Sequence, residues 1–326
     1  MQKLLYIPEE AIEKPVEEPK VDWEHFTPDF VGTQVQTLDL SLLEEQIKTA
    51  QKLYHDGRLG QTGGEVNFQA DRPVCIFFLG DVHYGSMFTD HERFHREVQM
   101  IKNTPGCYII WMSNLIDNGI PSQFPSNMLN NCLPPDKQVV AIRKLMEELN
   151  DANKIIGAVT SPCHEGWTWK HTGQDVNAMM FGFPERKFPV MDNGSILNVK
   201  VGSVTYCVGL FHQVGPFESN FNETHALKQM NRLNLLMKGD VVVGAHRHYA
   251  AAQLVYEGVG DSIKPVAYIR TGTYKGIGEN PDQWSVGRYG STGEPSAQSV
   301  ILWHNARRMS VSLEFELGLD IYKAVR

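Results

Sequence analysis

From residue 73 onward, short apolar runs alternate with polar turns and with longer amphipathic stretches. Val74–Leu79, Tyr108–Met112, Ile155–Thr160, Thr205–Phe211 and Asp240–Val243 are too short for buried helices and rich in β-branched and aromatic residues. That pattern predicts strands buried on both faces. Between them the apolar period lengthens. Lys137–Asn150 places Val140, Leu145, Met146 and Leu149 on one helical face. Asn222–Lys238 does the same with Leu227, Met230, Leu233, Leu236 and Met237, and Gly239 offers a C-terminal cap. A further helix is expected around His91, Glu92 and His95. In the tail, Ala251–Tyr256, Lys264–Arg270, Ser299–His304 and Arg308–Leu317 all read as strands. Strands alternating with helices predict an α/β fold, a sheet sandwich flanked by helices.

Residues 1–72 follow another pattern and are expected to stand apart from a domain at 73–326. Glu9, Glu10, Glu13, Glu17, Glu18, Asp22 and Glu24 outnumber Lys14 and Lys20, with Pro8, Pro15, Pro19 and Pro28 between them. Such a segment suits an extended acidic arm rather than a packed unit. Leu42, Leu43, Ile47 and Leu53 predict a short helix over Ser41–Tyr54, followed by a turn-rich link at Gly57–Gly64. Two roles are open to the arm: a tail packed on the domain surface, or a segment that docks onto a partner or a neighbouring subunit.

Composition narrows the class. With 42% hydrophobic and 21% charged residues the chain is an ordinary globular one, and no apolar run reaches the ~18–20 residues that span a bilayer. The opening Met1–Tyr6 lacks the apolar core of a secretory leader, and the five scattered cysteines form no Cys-x-x-Cys pair. A reducing, cytoplasmic setting is therefore expected. A net charge of −8 argues against coating nucleic acid non-specifically, which takes many Lys and Arg contacts to phosphate. It does not exclude an enzyme whose metal ions supply the local positive charge.

Metal-capable side chains recur at the end of each predicted strand. They are Asp81 and His83; Asn114, Asp117 and Asn118; Cys163, His164 and Glu165; His212; and His246 with His248. In open α/β sheets ligands sit at the carboxyl ends of strands. At a strand tip, residues two apart point to one side, so one metal can meet both members of Asp81/His83 or His246/His248. For any one of these histidines a structural hydrogen bond is the simpler explanation. Five consecutive strand ends carrying such groups point to a metal-dependent hydrolase. His91 and His95 have the spacing but no third ligand, and read as a solvated helix face.

This series resembles the calcineurin-like metallophosphoesterases, whose pattern runs D-x-H, G-D-x-x-D, G-N-H-E/D, a lone His and G-H-x-H. Gly80-Asp81-Val82-His83 matches fully, Phe211-His212 meets the lone His, and Gly244-Ala245-His246-Arg247-His248 matches with one inserted residue. The spacing also resembles the nuclease and phosphodiesterase branch, which includes small phage enzymes; such an origin implies host cytoplasm or virion. The resemblance spans about residues 73–305. It implies a sandwich of two mixed β-sheets flanked by helices and one or two divalent cations per chain (Mn, Zn or Fe). It also implies a phosphate-ester substrate, with nucleic acid among the candidates, and no membrane. Carried over position by position, Asp81, His83 and His248 would hold one metal, and His212 with His246 the other. His164 falls on the catalytic His, with Asp117 as its carboxylate partner.

Two positions depart from the family. Asn114 stands where the bridging Asp belongs, and Cys163 stands where the Asn of G-N-H-E belongs. A neutral amide bridges two dications less well than a carboxylate, because one negative charge is lost between them. A metal-bound Cys163 thiolate would restore it, completing a Cys-His-His set with His212 and His246 that suits Zn²⁺ or Fe²⁺. Otherwise Cys163 is a small buried residue in a drifted site. Two functions follow: a working phosphodiesterase, or a degenerate phosphoesterase fold kept for binding or a phage-type structural role. Gly119–Pro135 and Gly166–Lys170 follow ligand-bearing strand ends and are expected to shape the cleft, with Trp167 and Trp169 stacking on a base or covering the core.

Overall fold

The computed structural model describes residues 40–57, 61–120, 129–215, 222–233, 238–276 and 296–326. The predicted acidic arm over 1–39, residues 121–128 of the predicted Gly119–Pro135 segment and residues 234–237 of the predicted Asn222–Lys238 helix lie outside them. The chain divides into two compact units, Met1–Leu53 and Tyr54–Arg326. Helix α1 (Leu40–Gly57) covers the predicted Ser41–Tyr54 segment.

The second unit alternates strands and helices as the pattern predicts. Its elements are β1 (Gln61–Phe68), β2 (Val74–Leu79), α2 (His91–Asn103), β3 (Cys107–Trp111), α3 (Pro135–Asp151), β4 (Ile155–Val159), α4 (His164–Thr172), α5 (Val176–Phe181), β5 (Val190–Val201) and β6 (Val204–Phe211). There follow α6 (His225–Leu233), β7 (Val241–Gly244), β8 (Ala251–Glu257), β9 (Lys264–Arg270), β10 (Gln298–Leu302), β11 (Met309–Ser312) and α7 (Phe315–Val325). No helix among the described residues is long and apolar enough to cross a membrane.

The strands form one hydrogen-bonded path, β11-β10-β2-β3-β4-β5-β6-β7-β9-β8, with β1 added in parallel beside β5. The resemblance implies a sandwich of two mixed sheets, and the two layers are present. The path stays continuous because β5 serves both layers: Val190 and Met191 pair with β4, and Ser195–Val201 pair with β6. Beyond that bend the sheet folds back until β11 and β8, its two ends, come into contact. The product is an α/β sandwich flanked by helices.

Strand alternation explains the layers. In β2 every residue is buried, but Cys75, Phe77 and Leu79 face one core while Val74, Ile76 and Phe78 face another. The first core is roofed by α2, α3 and α7; the second is the sandwich interior, shared with Val241 and Val243 of β7 and Ile269 of β9. Each fully buried aromatic or aliphatic side chain contributes about 1.5–3 kcal/mol. A third core, with Val242, Val266 and Tyr268, lies under α6.

Three expectations are corrected. The turn-rich link ends in a strand, β1, because Val66 and Phe68 pack against the sandwich interior. Arg308–Leu317 is not one strand: β11 stops at Ser312 and α7 begins at Phe315. Gly166–Lys170 lies within α4 rather than in a loop.

Candidate metal centre

The carboxyl ends of six strands converge on one site. Gly80 makes the approach of the first possible, since a Cβ there would meet the Met112 Cβ at 2.9 Å and the Thr271 Oγ1 at 3.1 Å. The loops after β2 and β3 are then zipped together: His83 N donates to Asn114 O at 2.9 Å, and Tyr84 N to Leu115 O at 2.8 Å. Asp81, His83, Ser113, Asn114, Asn118, His246 and His248 all adopt positive φ, between 45° and 74°. Non-glycine residues rarely do so, and such backbone collects at functional sites. This changes the reason that Asp81/His83 and His246/His248 each face one way. They lie beyond the strand ends, at Leu79 and Gly244, and turned backbone rather than the pleat aims them.

Asp81, His83 and His248 form the first pocket, fully buried, with one donor atom from each within 4.8 Å of the others. His83 Nε2 and His248 Nε2 are 3.1 Å apart, and Asp81 Oδ1 lies 3.9 and 3.7 Å from them. Asp81 is held by its neighbours: Oδ2 accepts from His246 N at 2.6 Å and Oδ1 from Asn114 Nδ2 at 2.9 Å. Burial nonetheless pushes its carboxyl up to about 8. His248 is driven well below the usual imidazole range by burial and by His83, so it stands neutral, the state that ligates a cation.

The second pocket joins Cys163, His212 and His246, again within 4.8 Å. Cys163 is the N-cap of α4, its N–H donating to Ser161 Oγ at 2.9 Å, and its Sγ is 3.6 Å from His246 Nδ1. Burial pushes the thiol up to about 11. His212 is fully buried, with Nδ1 donating to Met112 O at 2.7 Å and its backbone N–H to Asn193 Oδ1 at 2.7 Å. A cavity of about 450 Å³ lined by Asn193, Phe211, Gln213, Val214 and Met230 adjoins it.

His164 and Asp117 come together, though not through the carboxylate. His164 Nδ1 donates to the backbone carbonyl of Asp117 at 2.5 Å. The Asp117 carboxylate instead accepts from His83 Nδ1 at 3.0 Å and Lys275 Nζ at 2.9 Å. Burial opposes ionisation there, but Lys275 and His83 hold Asp117 well below the usual carboxylate range. His164 is neutral, lowered by burial and by His83, and its ring lies 4.0 Å from Trp167, which therefore covers the site; Trp169 is exposed.

Asn118 supports this dyad rather than joining it, donating through Nδ2 to His164 O and to Thr168 Oγ1. Glu165 is a clamp, fully buried, accepting from Leu115 N at 2.6 Å and Ser113 Oγ at 3.1 Å. His95 is exposed as expected, whereas His91 is half-buried and its Nε2 accepts from Gly85 N at 3.0 Å, which fixes the turn after His83. Lys275 escapes sequence reasoning. The strand-end rule that finds the other residues would reach it after β9 (Lys264–Arg270), where it lies five residues beyond the strand.

The donor set fits divalent cations on an internal criterion. Asn114 Oδ1, Asp117 Oδ2 and His212 Nε2 are buried atoms with no hydrogen-bond partner among the described residues. Each such atom costs about 1–3 kcal/mol unless something occupies its lone pair. Asp81, His83 and His248, and separately Cys163, His212 and His246, are groups able to hold a metal.

No family model and no curated protein matches the chain. Among solved structures it is similar to vacuolar protein sorting 29 from Cryptosporidium parvum, 14% identical over 75% of this chain and 98% of that one, at a TM-score of 0.39. It is similar also to the Entamoeba histolytica Vps29 complexed with Zn²⁺ (12% identity, 73% and 97% coverage, TM-score 0.34) and to Chaetomium thermophilum Vps29 (11%, 73% and 95%, 0.31).

Proposed function

We propose that the protein is a metal-dependent phosphoesterase that cleaves phosphodiesters, nucleic acid among them. One observation carries this reading. Two three-donor pockets abut through Asp81 and His246, with buried donor atoms of His212 and Asn114 that no protein group satisfies. When bound, divalent cations supply Lewis acidity toward the phosphoryl oxygens and lower the pKa of water.

The chain's own residues do the rest. Asp81, His83 and His248 would hold one cation and Cys163, His212 and His246 the other. The Asp117 carbonyl keeps the His164 proton on Nδ1, so Nε2 is the atom that exchanges a proton with the leaving oxygen. The charge of a bound phosphoryl group favours the protonated form of that ring. Asp117, pinned by Lys275, orients His83.

A second reading, a fold retained for binding or assembly, is favoured by Asn114. Its Nδ2 already satisfies Asp81 Oδ1, as a bridging carboxylate could not. Hydrolysis of bis-p-nitrophenyl phosphate with Mn²⁺, Zn²⁺ or Ni²⁺ separates the two. Turnover that falls about 10²–10⁴-fold in His164→Ala at unchanged metal content supports the enzyme. An inactive wild type with activity gained in the Asn114→Asp, Cys163→Asn double variant supports the second reading.

A further inference from the structure

The two pockets differ in donor chemistry. The first offers a carboxylate and two imidazoles, the second a thiol and two imidazoles. In the second, Met112 O fixes the His212 proton on Nδ1. The His212 lone pair therefore lies on Nε2, which is buried and has no hydrogen-bond partner among the described residues. Beside it, Cys163 Sγ and His246 Nδ1 stand 3.6 Å apart, and Gln213 Oε1 lies 3.9 Å from the sulfur. A sulfur and two imidazoles with a fourth position open form a tetrahedral set that prefers soft or borderline cations. Asn114 leaves the shared wall one negative charge short, and a thiolate restores that charge on one side only.

We infer that Cys163, His212 and His246 form a thiolate-ligated site selective for zinc or another thiophilic divalent cation, while Asp81, His83 and His248 take a harder cation such as Mn²⁺. The centre is then mixed by construction. On binding, the S–H bond breaks, the proton leaves to solvent and a sulfur–metal bond forms, with no change of oxidation state. The inference shares cation binding with the proposed function but does not depend on hydrolysis.

Cobalt(II) titration of the full chain tests it. The expected result is a thiolate-to-cobalt charge-transfer band in the near ultraviolet that Zn²⁺ removes at stoichiometric amounts and Mn²⁺ does not. The band should vanish in Cys163→Ser, with zinc affinity down roughly 100-fold, and persist in Asp81→Asn. A readout on the unmodified chain guards against misfolded variants: zinc should protect Cys163 from iodoacetamide in peptide mass spectra, while exposed Cys132 still reacts. Cobalt bound without the band, or Cys163 alkylated equally with and without zinc, overturns the inference and leaves the hydrolase reading standing. No cation bound at all overturns both. The band without any hydrolysis supports the inference and counts only against the enzyme.

Discussion

The two halves of the centre are built from neighbouring strand ends, yet they solve the problem of burying polar groups differently. Around Asp81, His83 and His248 the protein supplies its own partners. Asn114 and the His246 backbone saturate Asp81, and Asp117 with Lys275 backs His83. Around Cys163, His212 and His246 it leaves the His212 nitrogen unmet and a thiol that burial keeps protonated. In the first half the unmet atoms among the described residues, Asn114 Oδ1 and Asp117 Oδ2, belong to the residues that back the three donors; in the second the unmet atom, His212 Nε2, belongs to a donor itself, the atom a cation would take. Buried polar networks are costly when half satisfied. The second half is therefore where ligand binding should stabilise the fold most.

The largest test of this contrast is Lys275→Met. It strands the Asp117 carboxylate in a buried site, and loss of one partner of a buried pair costs about 3–5 kcal/mol. Thermal unfolding should show that loss, with cation binding impaired in the first pocket and intact in the second. Equal loss from both would erase the distinction. Asn114→Asp should work the other way. A second carboxylate opposite Asp81 Oδ1 lowers the stability of the cation-free protein and tightens Mn²⁺ roughly tenfold, about 1.4 kcal/mol. Calorimetric titration and unfolding with and without Mn²⁺ read both effects, and an unchanged Mn²⁺ affinity would contradict the role given to Asn114. The smallest effect belongs to Asn193→Ala. Asn193 Oδ1 accepts from the backbone N–H groups of His212 and Gln213 at 2.7 and 3.0 Å. Its loss should cost about 1 kcal/mol and weaken zinc a few-fold, with Mn²⁺ binding untouched.

Much of the fold is legible along the chain because buried strands announce themselves locally. Val74–Leu79 and Lys264–Arg270 have the bounds their apolar runs predict. The C-terminal helix is the instructive failure. Leu313, Phe315 and Leu317 alternate with Glu314 and Glu316 and extend the predicted strand to Leu317, but from Phe315 the buried set is Phe315, Gly318, Leu319 and Tyr322, a helical spacing. Gly318 carries no hydrophobic signal. It is required because α7 packs so tightly on Ser299 and Ser312 that a Cβ would collide with them. β5 is obscured for a related reason: Asp192, Asn193 and Gly194 interrupt its pattern where it passes from one layer to the other.

The sequence alone determined which metal-capable side chains the chain carries and in what order: Asp81, His83, His212, His246 and His248 at strand ends, with Asn114, Cys163 and His164 between them. Those are matters of residue type and order, which spacing preserves. Only the tertiary structure decided which donors meet. It set Asp117 against His83 and Lys275 through its side chain and against His164 through its backbone, and it turned Glu165 into a clamp. It also left His212 Nε2 buried with no hydrogen-bond partner among the described residues. Protonation, burial and pairing depend on distances between residues brought together from six strand ends, and no local pattern encodes those distances.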